Sequence, residues 1–167
     1  LSDFDWTSVE TQWGTPRKNS NIQGMVHNNV KRFKKGVGIH ANGKITYDLS
    51  DKDYDKFEAL IGVDTAVGEN NNSSVTFKIV GDGKTLATTK VMNYYDNLAY
   101  INVPVKGIKE LVIEVHDGGN GNACDHCIIV NPKLTTNSGK PKFTGDDKVA
   151  FNINDKIDLL KGIKATD

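Results

Sequence analysis

The sequence predicts an all-β domain, an antiparallel β-sandwich. Three observations carry that expectation. Short runs alternate apolar and polar residues, as in Val75-Thr-Phe-Lys-Ile-Val80, where Val75, Phe77 and Ile79 share a face. Turn signals such as Gly81-Asp-Gly83 separate the runs. No stretch keeps a helical period for more than two turns, and strands at this spacing are the pattern of a sandwich.

In order along the chain, Leu1 to Asn21 is an irregular arm that carries both tryptophans, Trp6 and Trp13. Tryptophan is usually highly buried, so the arm is expected to pack onto a core, with a stacking platform for a sugar ring as the alternative. Arg17 to Gly24 reads as a polar turn region. Met25 to Val30 reads as a hairpin with Asn28-Asn29 at its turn, since asparagine tolerates positive φ. In Lys31 to Gly43 the glycines at 36, 38 and 43 argue for close backbone approach and tight bends, not helix. Strands are then expected at Ile45–Leu49, Phe57–Val63, Val75–Val80, Thr85–Val91, Ala99–Val105, Leu111–Val115 and Ile128–Leu134. Pro104 suits an edge or a bulge, because it cannot donate to a ladder.

Strand polarity makes this list useful. If Ile45–Leu49 runs away from one end of the sandwich, call it end A, each later strand alternates in direction. The connections at the far end, Ser50–Asp53, Gly81–Gly83 and Lys106–Lys109, are short turns. Those at end A are long and polar: Gly38–Gly43, Asp64–Ser74, Met92–Leu98 and His116–His126. Binding residues concentrate on such loops, held by a rigid scaffold.

Composition excludes several classes. The chain has 167 residues, with 21 basic and 21 acidic side chains. That balance is no footprint for nucleic acid or an anionic membrane. No apolar stretch approaches the ~18 residues of a membrane span. No leader stands at the N-terminus, so a signal peptide is expected to be removed or to lie upstream. After Leu134 the composition becomes that of a linker, and the domain expectation is residues 1–135 for the sandwich, 136–147 for a linker and 148–167 for the truncated start of another β module.

The loop chemistry admits competing readings. Asp64 and Glu69 in one end-A loop and Asp117 in another offer oxygens to calcium, against a plain hydrophilic loop. Cys124-Asp-His-Cys127 with His116 has zinc-type ligands, but His126 lies between the cysteines and adjacent strand residues face opposite ways. A redox CxxC needs a helix to lower a thiol pKa, and none follows. A local disulfide or two core-facing thiols remain. No GxSxG, Walker or HExxH pattern occurs, and nothing argues for catalysis. His40, Asn42, Asn120, Asn122, Asp125 and His126 are the carboxylate, amide and imidazole mixture that reads sugar hydroxyls. Tyr94, Tyr95 or either tryptophan would be the aromatic face. The rival is a structural or protein-adhesion module with no glycan ligand, which would show an exposed apolar patch.

The chain carries, in order, Leu1-Ser-Asp-Phe-Asp-Trp6, Trp13-Gly14, Lys35-Gly-Val-Gly-Ile-His-Ala41, Ile45-Thr-Tyr-Asp-Leu49, Gly62-Val-Asp64, Ser74-Val-Thr-Phe77, Gly81-Asp-Gly83 and Asp125-His126. This series resembles the NPCBM-type carbohydrate-binding modules of family 51. The resemblance covers Leu1 to about Leu134. It implies a galactose-binding-like sandwich of jelly-roll type, a bound structural calcium, and attachment to a secreted bacterial glycoside hydrolase. It implies galactose-containing ligands, including blood-group A and B determinants, with the chain a monomeric unit of a multimodular protein. Asp125 and His126 are the foremost expected sugar contacts. The tail from Val149 resembles the start of a bacterial Ig-like module. Family members commonly follow Asp-His with Ala-Asp-Trp, whereas Cys127-Ile-Ile-Val130 follows here.

Overall fold

The computed structural model describes residues 1–51, 53–69 and 72–136, together with the backbone of two short strands in the tail. The chain divides into a unit at Leu1–Thr135 and another at Thr136–Asp167. The first unit has strands β1 (Ser8–Thr11), β2 (Arg17–Lys18), β3 (Ile22–Val26), β4 (Asn29–Phe33), β5 (Gly36–His40), β6 (Gly43–Asp48), β7 (Lys56–Val63), β8 (Val75–Gly81), β9 (Lys84–Thr88), β10 (Ala99–Pro104), β11 (Glu110–Asp117) and β12 (His126–Thr135). A 3-10 turn spans Thr65–Val67, capped by the Asp64 carboxylate on the Ala66 amide.

Two five-stranded sheets, in orders β1-β6-β11-β8-β9 and β10-β7-β12-β5-β2, form the sandwich, and every pair is antiparallel. Alternation places Ile45 and Tyr47, Phe77 and Ile79, and Leu111, Ile113 and Val115 of one sheet in the core with Phe57, Ile61 and Val63, Val37 and Ile39, and Cys127 and Ile129 of the other. Burying this set is what holds the sheets together. The β3-β4 hairpin closes over the outer face of the second sheet, where Ile22 packs with Ile128 and Val130, and Phe33, Leu60 and Leu98 lie against them. β12 is therefore buried on both faces, which explains why Cys127-Ile-Ile-Val130 is apolar without alternation. Ile129 fills the sandwich core and Ile128 the layer beneath the hairpin.

The expected strands from Ile45 onward are present, and their polarity holds. Val63, Val75, Ala99, Asp117 and His126 all lie at the end where β6 begins. Pro104 ends the edge strand β10. Four features differ from the expectation. Gly36–His40 is a fully buried strand, not a bend. Its glycines serve close approach: a Cβ on Gly36 would stand 2.8 Å from the Ile129 carbonyl oxygen, and one on Gly38 would stand 2.7 Å from the Arg17 guanidinium carbon. The arm contains β1 and β2, which pair with β6 and β5. The hairpin turn is His27-Asn28, with φ of 49° and 58°, one residue earlier than expected, because Asn29 already pairs with Val26. β9 stops at Thr88, and Met92 then bridges Val75.

In the second unit, Lys142–Thr144 pairs antiparallel with Lys164–Thr166. The first of these strands falls within the stretch expected as linker. The expected Ig-like start at 148–167 lies, apart from residues 164–166, outside the described residues.

Candidate functional site

The register of β5 and β12 sets His40 directly opposite His126. Side chains opposite each other on neighbouring strands share a face, and these two rings stand 4.7 Å apart, nearly perpendicular. The chain beyond β1 brings Trp13 onto both. Its ring centroid lies 5.4 Å from His40 and 5.4 Å from His126. The Thr11 hydroxyl fixes this approach, donating to the Trp13 carbonyl oxygen at 2.9 Å or to that of His40 at 3.2 Å. β5 passes into β6 through Ala41-Asn42, whose peptide is cis.

One side chain ties the arm to two further loops. Gln12 Oε1 accepts from the Asn42 amide nitrogen at 3.2 Å, from Asn42 Nδ2 at 3.2 Å and from Asn122 Nδ2 at 2.9 Å. The Gln12 backbone N–H donates to the Asn42 carbonyl oxygen at 2.9 Å. Asn42 in turn holds Asp117, accepting from its N–H at 2.9 Å and donating to Oδ2 at 3.3 Å. The result is a shallow cavity of about 240 Å³ lined by Trp13, His40, Asn122, Ala123, Cys124 and His126. Trp13 remains 63% exposed there, although tryptophan rarely leaves so much apolar surface in water without use. An aromatic face flanked by imidazole and amide groups suits a flat ring with apolar C–H surface on one side and hydroxyls at its edge. Burial, then the neighbouring His40, pushes the His126 pKa down, so His126 is neutral at neutral pH and offers one donor and one acceptor.

The structure separates the residues expected from sequence. His40, Asn122 and His126 line the cavity, and Asn42 braces it from behind. Asp125 is fully buried behind it, and its Oδ1 accepts the Ser74 N–H at 2.7 Å. Burial raises the Asp125 pKa, and Oδ2 is buried with no hydrogen-bond partner. Tyr94 is buried in the core, and Tyr95 is exposed with its hydroxyl donating to Glu69 at 2.9 Å. Asn120 Nδ2 donates to the Asn72 carbonyl oxygen at 3.0 Å. None of Tyr94, Tyr95 and Asn120 lines the cavity. Gln12 escaped the sequence reading, because a glutamine in a polar arm carries no signal of its own. Trp13 was indistinguishable from Trp6, which is half-buried, packs on the core and takes the Lys18 ammonium 4.1 Å above its ring.

The three acids expected to bind metal do not converge. Asp64 is fully buried and pairs with Arg17, Glu69 takes the Tyr95 hydroxyl, and Asp117 takes the Gly119 N–H at 2.8 Å. Among the described residues no three of His, Cys, Asp and Glu gather as a metal site. Asp64, Glu69 and Asp117 therefore do not fit calcium as one set. The oxygen that does fit an oxygen-seeking cation is the orphaned Oδ2 of Asp125. Both cysteines are unbonded. Cys127 is a core thiol whose pKa burial pushes up, and Cys124 lies at the cavity edge.

With this geometry in place, comparison with known proteins is direct. The NPCBM/NEW2 domain family model matches residues 1–135. A Clostridium perfringens ZmpB structure, comprising an M60 catalytic domain with its CBM51-1 and CBM51-2 domains, is 37% identical with a TM-score of 0.79, covering 99% of this chain and 18% of that one. The CBM51 from Clostridium perfringens GH95, solved with methyl-galactose, is 30% identical with a TM-score of 0.76, covering 81% of this chain and 97% of that one. The ZmpB CBM51-2 and INT domains, solved with GlcNAc, are 32% identical with a TM-score of 0.76, covering 80% and 30%. The chain thus spans less than a third of two of these chains. It also spans 6% of a curated Renibacterium salmoninarum protein to which 93 residues are 32% identical. No helix among the described residues is long and apolar enough to cross a membrane.

Proposed function

This chain belongs to the NPCBM/NEW2 domain family, and from that premise we propose that it binds a terminal galactose-type sugar on host glycans through the Trp13 cavity. The observation that carries the reading is the exposed Trp13 ring set against the paired imidazoles of His40 and His126. In this reading the indole packs on the C–H face of the sugar while His40, His126 and Asn122 meet its hydroxyls. Asp125 acts from behind the wall by holding Ser74. Blood-group A and B determinants are the proposed natural context, and the proposed role is to hold an attached secreted enzyme, a glycoside hydrolase, on its glycan. The chain itself performs no chemistry in this role.

Titration calorimetry with methyl-galactoside and with GlcNAc tests the sugar. The expected result is binding to the galactoside that weakens as pH falls through the lowered His126 pKa. Protonation there removes the lone pair that accepts a sugar hydroxyl and adds a cation facing His40 and Arg17. Preference for GlcNAc, or no binding to either sugar, overturns the reading.

Calcium is proposed as a structural ion at Asp125, supported by the unpartnered Oδ2. A buried carboxylate with a raised pKa costs stability at neutral pH until a proton or cation answers it. Calcium is expected to raise Tm by several degrees at neutral pH, and the Asp125→Asn variant to lose that shift. A wild-type Tm identical in calcium and in EDTA rejects the ion.

A further inference from the structure

The β3-β4 hairpin carries a dense run of positive charge along β4 and just beyond it. Lys31, Arg32, Lys34 and Lys35 fall within five residues, and all four are exposed. Phe33, between them, is half-buried and packs against the Ile22, Ile128 and Val130 cluster, so the cations stand on an anchored ribbon. β4 is the outer strand of a two-stranded sheet, and among the described residues its other edge is unpaired. A chain with equal numbers of acids and bases had ample means to neutralise this run, and it does so once. Lys35 pairs with Asp3 at 2.6 Å, whereas Lys31, Arg32 and Lys34 form no ion pair among the described residues. Cross-strand positions usually supply an opposite charge, but Lys31 faces Gly24 and Arg32 faces Gln23.

Lysine on an edge strand is a common guard against strand addition. That explains one or two cations on β4. It does not explain Arg32 beside Lys31 on the opposite face, nor the run continuing through Lys34 and Lys35 after the strand has ended. At about 3.3 Å per residue the run extends over roughly 13 Å, which matches a charged chain and not a single ion.

We propose that this hairpin is a second binding surface, distinct from the Trp13 cavity, for a sulfated glycan chain. Sulfate esters are permanent anions that a guanidinium meets through two N–H donors and an ammonium as a point charge. Neutralising a regularly charged polymer releases counterions, so weak single contacts add up and depend steeply on salt. A nucleic acid fits less well. The hairpin presents no exposed Phe, Tyr or Trp ring to stack a base, since Phe33 is turned inward. The inference is independent of the sugar reading above, because it concerns other residues and another ligand charge.

The test uses the full chain and a heparin-derived oligosaccharide as probe, with its desulfated counterpart and a DNA duplex of similar length as controls. Binding by calorimetry at low salt is expected for the sulfated probe. It should fall at least tenfold between 50 and 200 mM salt, roughly as expected for about three neutralised anions. The triple variant Lys31→Gln, Arg32→Gln, Lys34→Gln should lose at least tenfold in affinity, keep the wild-type Tm and keep whatever galactoside affinity the wild type has. Absence of binding at low salt, equal binding by the triple variant, or DNA bound as tightly as the sulfated probe overturns the proposal.

Discussion

Replacing Trp13 by alanine is expected to reduce galactoside affinity about thirtyfold while leaving Tm within about a degree of wild type. The asymmetry follows from where the ring lies. It is 63% exposed, contacts the two imidazole rings of the cavity and takes little part in the core. Hydrogen bonds to a sugar hydroxyl replace bonds to water and net only about 1 kcal/mol each. Covering the indole face removes apolar surface on both partners, and about 2 kcal/mol for that contact corresponds to the thirtyfold loss. Trp13→Phe should recover most of the affinity. Trp6→Ala is the internal control. Trp6 packs on the core, so its loss should lower Tm and spare binding. Calorimetry and thermal melting on the same samples separate the two, and a Trp13→Ala protein that binds as wild type removes the cavity from consideration.

The Arg17→Met variant is expected to lose about 3 kcal/mol of stability at neutral pH, a fall in Tm of roughly 10 °C. Asp64 is fully buried and ionised only with help: the Ala66 N–H donates to Oδ1 at 2.9 Å, and the Arg17 guanidinium meets Oδ2. Burial raises the Asp64 pKa, while Ala66 and Arg17 pull it back. A carboxyl whose folded pKa exceeds its unfolded value binds more protons folded than unfolded, so its contribution to stability falls as pH rises above the unfolded value. Without Arg17 the folded pKa climbs further and that window widens. The variant's deficit should therefore be full at neutral pH and shrink on acidification. Arg17→Met with Asp64→Asn should regain most of the loss, because neither charge is then left buried alone. A deficit that is independent of pH, or that the double variant retains, assigns the loss to packing of the Arg17 stem against Gly38 instead.

Much of the fold was legible because a half-buried sheet writes itself as alternation. Val75, Phe77 and Ile79 point inward and Thr76 and Lys78 outward, and the structure places them so. Polarity alone then gathered the loops of end A. The illegible parts share a cause. Gly36–His40 has no alternation because both its faces are covered, and its glycines read as bends although they serve close packing. β1 is short and at an edge, where burial imposes little pattern. For the site, His40 and His126 were found as residue types, but their pairing is a matter of register, which sequence spacing does not state. Asp125 is a carboxylate of the kind that reads sugar hydroxyls and forms a motif with His126, yet it lies behind the cavity wall. It immediately precedes β12, and its carboxylate is buried beneath the wall on the Ser74 N–H, a contact that sequence spacing does not state. The acids at 64, 69 and 117 shared an end of the sandwich without sharing a neighbourhood.

The register pair of His40 and His126 also bears on how specificity can change within this architecture. Both imidazoles are held by sheet strands, as fixed as the sandwich itself. Asn122, Ala123 and Cys124 belong to a surface loop, tied to its surroundings by Asn122 on Gln12, Asn120 on the Asn72 carbonyl oxygen and the Gly118 N–H on the Ser74 carbonyl oxygen. One half of the proposed recognition surface is thus set by the sheet register and the other half by a loop. Rewriting 118–124 alone would retarget the module to a different hydroxyl pattern without any need to redesign the fold that carries it.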